Sequence, residues 1–142
     1  MLLAVCREFE IESEIKPEIA FCFAGGIGNS GAVCGAVAGA VMAIGLVKGR
    51  RDTMEEGLRT LAVAQEFRRR FEAEMETISC RELTGADLST QAGIEEYINS
   101  DTPSTVCFPA VGLAYRLTVD LLRESPPSGT SAAPPSASGE HG

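Results

Sequence analysis

Histidine is almost missing from this chain of 142 residues: the one present, His141, stands next to the C-terminus. Without an ordered imidazole there is no Ser-His-Asp or Cys-His catalysis and no His-ligated zinc, so any chemistry must come from carboxylates or cysteines. Basic residues are also short, with 12 Lys and Arg against 20 Asp and Glu and a net charge of -8. An acidic body excludes nucleic acid as the expected partner, because phosphates require a basic surface. The one basic run, Arg68 to Arg70, reads as a solvated helix face. Among the five cysteines no two stand as C-x-x-C, so no local metal knuckle can be read. The opening MLLAVCREFE has acid within it and no charged segment leading into an apolar stretch of secretory length. The cysteines are therefore expected to be reduced and the chain cytoplasmic. No apolar run reaches the roughly 20 residues that a bilayer span needs, and no transmembrane segment is expected. Strand-like alternation is absent too.

What is present is helical. The length suits one domain, expected over 1–124, followed by a Pro/Ser/Ala-rich tail over 125–142 whose composition predicts disorder. The domain is large enough to build a core without disulfides or metals as staples, so any metal would be functional. Leu2 to Ile11 reads as a helix and Glu12 to Pro17 as a charged connection. From Ile19 to Val47 no residue is charged. Asn29 or Ser30 can cap a helix from about Gly31 to Val47. Asp52 with Glu55 and Thr53 with Glu56 give a doubled start signal for the next helix, the second a capping box. Met54, Leu58, Leu61, Ala64, Phe67, Phe71, Met75 and Ile78 then form an apolar stripe. Cys80 to Gly85 closes that helix, Gln91 to Ile98 forms a short one, and Asp101 to Pro103 introduce a last helix to about Arg123, with Val106, Ala110, Leu113, Leu117 and Leu121 inward. The expected fold is all-α, a compact bundle of four to five helices around a Gly/Ala-rich central helix.

Two motifs invite stronger readings. Gly26 to Gly31 matches G-x-G-x-x-G, but no second strand follows to present an acid to a ribose, so NAD binding is set aside. Gly31, Gly35 and Gly39 stand four apart, a membrane packing motif that serves close helix approach in a soluble bundle equally well. Cysteine chemistry is the third reading. Cys34 falls in the first turn of the central helix, where free N–H groups and the macrodipole favour a thiolate, and Gly35 leaves it uncrowded. The competing reading is a small core hydrophobe. Cys80 and Cys107 also fall near predicted helix ends, and a bundle with these ends at one pole would gather all three. The paired acids Glu55–Glu56 and Glu95–Glu96 read as solvated faces.

These residues, AFCFAGGIGNSGAVCGAVAGAVMAIGLVKGR, then SCRELTGADL, then Cys107, resemble the C_GCAxxG_C_C family of small helical redox-active proteins from about Met1 to Arg123. CGAVAG at Cys34 to Gly39 matches the family's CGAxxG element, and Cys80 and Cys107 match its later cysteines. The resemblance implies Cys34, Cys80 and Cys107 as redox sites and as ligands of an iron-sulfur cluster if one is held, with Gly35 beside them. It also implies a redox partner protein or a transporter component as partner. A further family cysteine in the first helix has no counterpart among these residues, which is expected either of a shortened start or of a degenerate member; Cys6 and Cys22 inherit no role. An oxidoreductase or electron-transfer protein is thus expected, by dithiol exchange or by a cluster. A cluster usually needs four thiolates, so a fourth would come from Cys22, an external ligand or a second subunit. The alternative is a non-catalytic helical interaction protein that associates through its Gly-lined helix or acidic face, with structural cysteines; a homo-oligomer is a further expectation.

Overall fold

A computed structural model describes residues 1–11, 18–49 and 52–125. The tail expected to be disordered lies outside these from residue 126, as does the whole of the charged connection Glu12 to Pro17. Among the described residues there are seven α-helices and no strand: α1 (Leu2–Glu8), α2 (Glu18–Phe21), α3 (Gly35–Lys48), α4 (Met54–Met75), α5 (Cys80–Thr84), α6 (Gln91–Asn99) and α7 (Phe108–Glu124), the last entered through a π-helical turn, Pro103–Cys107. The all-α class holds, and two short helices, α2 and α5, join the five expected ones.

The charge-free helix α3 is the axis, with α1, α4 and α7 packed on it and α7 also packed against α1 and α4. Ala40, Ala43 and Ile44 of α3 meet Val5, Phe67, Phe71, Ala114 and Leu122, all essentially without solvent contact. The Phe67 and Phe71 rings lie 6.0 Å apart, tilted by 35°. The Gly/Ala composition is what lets α1 approach: a Cβ on Gly39 would stand 3.3 Å from Met1 Cβ. Pro103–Glu124 is long and apolar enough to cross a membrane by length and composition alone. Its buried residues, among them Ala110, Leu113 and Leu121, belong to this same core.

Three local expectations are corrected. The stripe on α4 is not continuous: Val63, Phe67 and Phe71 are buried, but Met54, Leu58 and Leu61 are 80%, 58% and 65% exposed. The gaps between Met54 and Phe67 average well under 3.6 residues, so the row winds around the helix and Met54 points about 140° away from Phe67. The capping box is as expected, with Thr53 Oγ1 accepting from the Glu56 N–H at 3.2 Å and Glu56 Oε2 accepting from the Thr53 N–H at 3.2 Å. Secondly, α3 begins at Gly35 rather than Gly31, because the four residues before it are used in pairing of another kind. Thirdly, α4 ends at Met75, where Glu76 turns left-handed at φ +68°. Cys80 therefore does not end the long helix; it opens α5, capped by Ser79, whose Oγ accepts from the Glu82 N–H.

Candidate functional site

Two glycine-rich and cysteine-bearing segments distant in sequence build the site. Gly25 to Asn29 are five successive residues with φ between +60° and +73°, a left-handed turn in which Ile27 and Asn29 each carry a cost of roughly 1–2 kcal/mol. Hydrogen bonds hold it: the Gly28 N–H donates to the Cys22 carbonyl at 2.8 Å, the Gly31 N–H to Gly25 at 3.0 Å and Ser30 Oγ to Gly26 at 2.6 Å. The chain then runs extended from Ala32 to Cys34 and pairs antiparallel with Ile78 to Cys80. Val33 stands opposite Ser79, the Cys34 N–H donates to the Ile78 carbonyl at 2.8 Å and the Cys80 N–H to Ala32 at 2.6 Å. In such a ladder Cys34 and Cys80 are diagonal neighbours on one side. Gly26 backs this arrangement closely, for a Cβ there would stand 2.6 Å from Cys80 Cβ.

Cys34 is thus the residue before α3 and not in its first turn, and its side chain accepts no capping hydrogen bond. Gly35 matters for a different reason than expected: a Cβ on it would meet the Phe23 carbonyl oxygen at 3.1 Å. Cys107 is the last residue of the π-helical turn, which continues without a break into α7. It lies near the start of the last helical run, where it was expected.

All four expected site residues, Cys34, Gly35, Cys80 and Cys107, line one cavity of about 450 Å³. Cys34 and Cys107 are half-buried and Cys80 is buried, each as a free thiol. Burial pushes the Cys80 thiol up from its ordinary value, and the neighbouring Cys34 and Cys107 sulfurs add to the shift; a buried thiol surrounded by sulfur resists becoming an anion. Cys6 packs against the hydrophobic core, and Cys22 is exposed and does not line the cavity.

One functional residue was not expected. Tyr97 of α6 enters the cavity, and its hydroxyl lies 3.2 Å from Cys107 Sγ. Burial first, and then the Cys107 contact, push the phenol well above its ordinary value. It stays an O–H, and either the phenol or the thiol can donate across this contact. The sequence signal was the set Ile94, Tyr97 and Ile98, three apolar residues on one side of a short helix, which required something to pack against.

An iron-sulfur cluster asks more of a donor set than the cavity offers. Three sulfurs line the cavity, and among the described residues no group of three or more His, Cys, Asp or Glu side chains is disposed to hold a metal ion. With Cys22 elsewhere, the residues present do not fit a cluster that requires four thiolates.

A family model described as "putative redox-active protein (C_GCAxxG_C_C)" matches residues 1–121. No curated protein and no solved structure matches the chain.

Proposed function

The chain belongs to the C_GCAxxG_C_C family of redox-active proteins, and from that premise we propose that it exchanges thiols and disulfides through Cys34, Cys80 and Cys107. The observation that carries this reading is the lining of one cavity by three free thiols from three separate segments. Buried cysteines that merely filled a core would not need an opening beside them.

Tyr97 assigns the first role. Its hydroxyl lies on Cys107 Sγ, so a hydrogen-bonding group is at hand for the sulfur that attacks a disulfide, which a cysteine does in its thiolate form. The Cys107 thiolate attacks one sulfur of a substrate disulfide; the substrate S–S bond breaks, and one substrate thiolate leaves and takes up a proton. A second cavity cysteine, Cys34 or Cys80, loses its proton and attacks the Cys107 sulfur of the mixed disulfide, which releases the other substrate thiol. Two electrons pass from the cysteine pair to the substrate, and an external dithiol restores the pair. Cys80, held protonated by burial, suits the resolving step better than the first attack.

Equilibration of the native protein in graded ratios of oxidised and reduced dithiothreitol, followed by peptide mapping, tests this. One internal disulfide between two of Cys34, Cys80 and Cys107 is expected, with Cys6 and Cys22 left as thiols. If the three resist oxidation while the fold is intact, the proposal is wrong.

A further inference from the structure

The cavity that holds the three thiols carries no charge of its own. Among its lining residues there is no Lys, Arg, Asp, Glu or His. Its wall is Leu88, Ile94, Ile98 and Val111 with Ala24 and Ala36, and its polar groups besides the thiols are Asn29, Thr84 and Tyr97. Two of these are already engaged, Thr84 Oγ1 with the Cys80 carbonyl at 2.7 Å and the Tyr97 hydroxyl with Cys107. Arg81, the cation adjoining Cys80 in sequence, is exposed and paired with Asp87 at 2.7 Å. A charged molecule entering here would lose water and find no counter-ion. An anion would in addition cross the field of a chain of net charge -8.

From this we infer that the substrate is a small, uncharged, largely apolar disulfide that enters the cavity whole. The inference rests on the dithiol reading above and adds the class of molecule. The size agrees: about 450 Å³ lies within the roughly 300–1,000 Å³ of sites that enclose small ligands, whereas a disulfide on a folded protein would have to reach its sulfurs through the opening. Ile98, 66% exposed, and Val111, 38% exposed, give that opening an apolar rim which favours an apolar entrant. Anionic disulfides, such as those of acidic peptides, are excluded by the same features. The electron balance is the one already written: the disulfide gains two electrons and two protons and leaves as two thiols, and the cysteine pair is oxidised.

The test uses two chromogenic disulfides of similar size and opposite character, neutral dithiodipyridine and dianionic dithiobis(nitrobenzoate), on the native full chain and on the same chain unfolded in guanidinium. The ratio of rates in the unfolded chain removes their intrinsic reactivity. The native cavity is expected to prefer the neutral reagent by about tenfold beyond that ratio, the scale on which electrostatic complementarity alters encounter. Ile98→Lys, a change at an exposed position that spares the core, should bring the preference down by about threefold or more by placing a cation at the rim. Equal preference in the folded and unfolded chain, or no response to Ile98→Lys, overturns the inference. Mass measurement of the products separates the two layers. Retained mixed disulfides with the neutral preference intact would refute the dithiol reading and leave the charge selection standing. An internal disulfide formed at equal rates by both reagents would do the reverse.

Discussion

Alanine substitutions at Gly26 and Gly28 impose the same backbone demand and differ in the space available. Both residues sit in the left-handed turn, at φ +73° and +60°, where a side chain costs roughly 1–2 kcal/mol. At Gly28 a Cβ would meet nothing within 4 Å, whereas at Gly26 it would lie 2.6 Å from Cys80 Cβ and 2.7 Å from the Ala32 nitrogen. Forcing that contact apart adds the cost of overpacking, about 1–3 kcal/mol. Gly28→Ala should therefore lose about 1–2 kcal/mol and Gly26→Ala about 2–5 kcal/mol. With an unfolding entropy of about 2.1 cal/mol/K per residue over about 120 residues, these become Tm decreases of about 4–8 °C and 8–20 °C. Thermal and urea unfolding measure them. Alkylation mapped to Cys80 in native buffer supplies the second readout, because Gly26→Ala should push Cys80 out of its buried position and Gly28→Ala should not. Equal losses in the two variants, with Cys80 equally protected, would refute the claim that this turn is pressed against the cysteine.

Tyr97→Phe removes only the hydroxyl 3.2 Å from Cys107, and the rate of Cys107 alkylation at neutral pH should fall by about tenfold, the worth of one hydrogen bond to a charged group; an unchanged rate would show the contact to be passive. Thr53→Ala deletes the capping box and should lower stability by about 1 kcal/mol, read as a shift of the urea midpoint with unchanged slope. Hydrogen bonds from Arg69 and Arg70 hold the Glu66 carboxyl down at about 2, against 4.5 for the free group. A depressed carboxylate contributes stability that is complete above its unfolded value and is lost as the pH falls through about 2. Acid titration from pH 5 downward should accordingly destabilise the wild type more than Glu66→Gln, and added salt should narrow the difference because the group is exposed.

The helices were legible because their signals are local. The Thr53–Glu56 box, the uncharged run through α3 and the 3.6-residue rows of α7 each depend on neighbours within one or two turns. The convergence of Cys34, Cys80 and Cys107 was legible only as an expectation, drawn from their placement near predicted helix ends, and two of those placements changed. Cys80 begins a helix of its own, and Cys34 lies in an extended segment. What joins them is backbone pairing between Ala32–Cys34 and Ile78–Cys80, a bond pattern that leaves no side-chain periodicity to read. The left-handed turn could not be foreseen for a similar reason: GGIGNSG permits positive φ, but Ile27 and Asn29 adopt it only because the surrounding hydrogen bonds require it. Tyr97 was overlooked since a single tyrosine on a short helix has no pattern until the cavity beside it is known.

The π-helical turn ahead of α7 makes this part of the chain sensitive to length rather than to composition. The Phe108 N–H reaches back to the Pro103 carbonyl, so the turn holds one residue more than an α-helical turn would. Removing any one residue between Pro103 and Val106 would let the turn close to α-helix with its flanks nearly in place, because the wide turn absorbs that residue; adding one more would leave Cys107 fixed relative to α7 and rotate everything upstream by about 100° with a rise of about 1.5 Å. Helix α6 would swing around the axis of α7 like the hand of a dial, and Tyr97 would no longer face Cys107. Functional relatives should vary freely in which residues fill this turn without adding to their number.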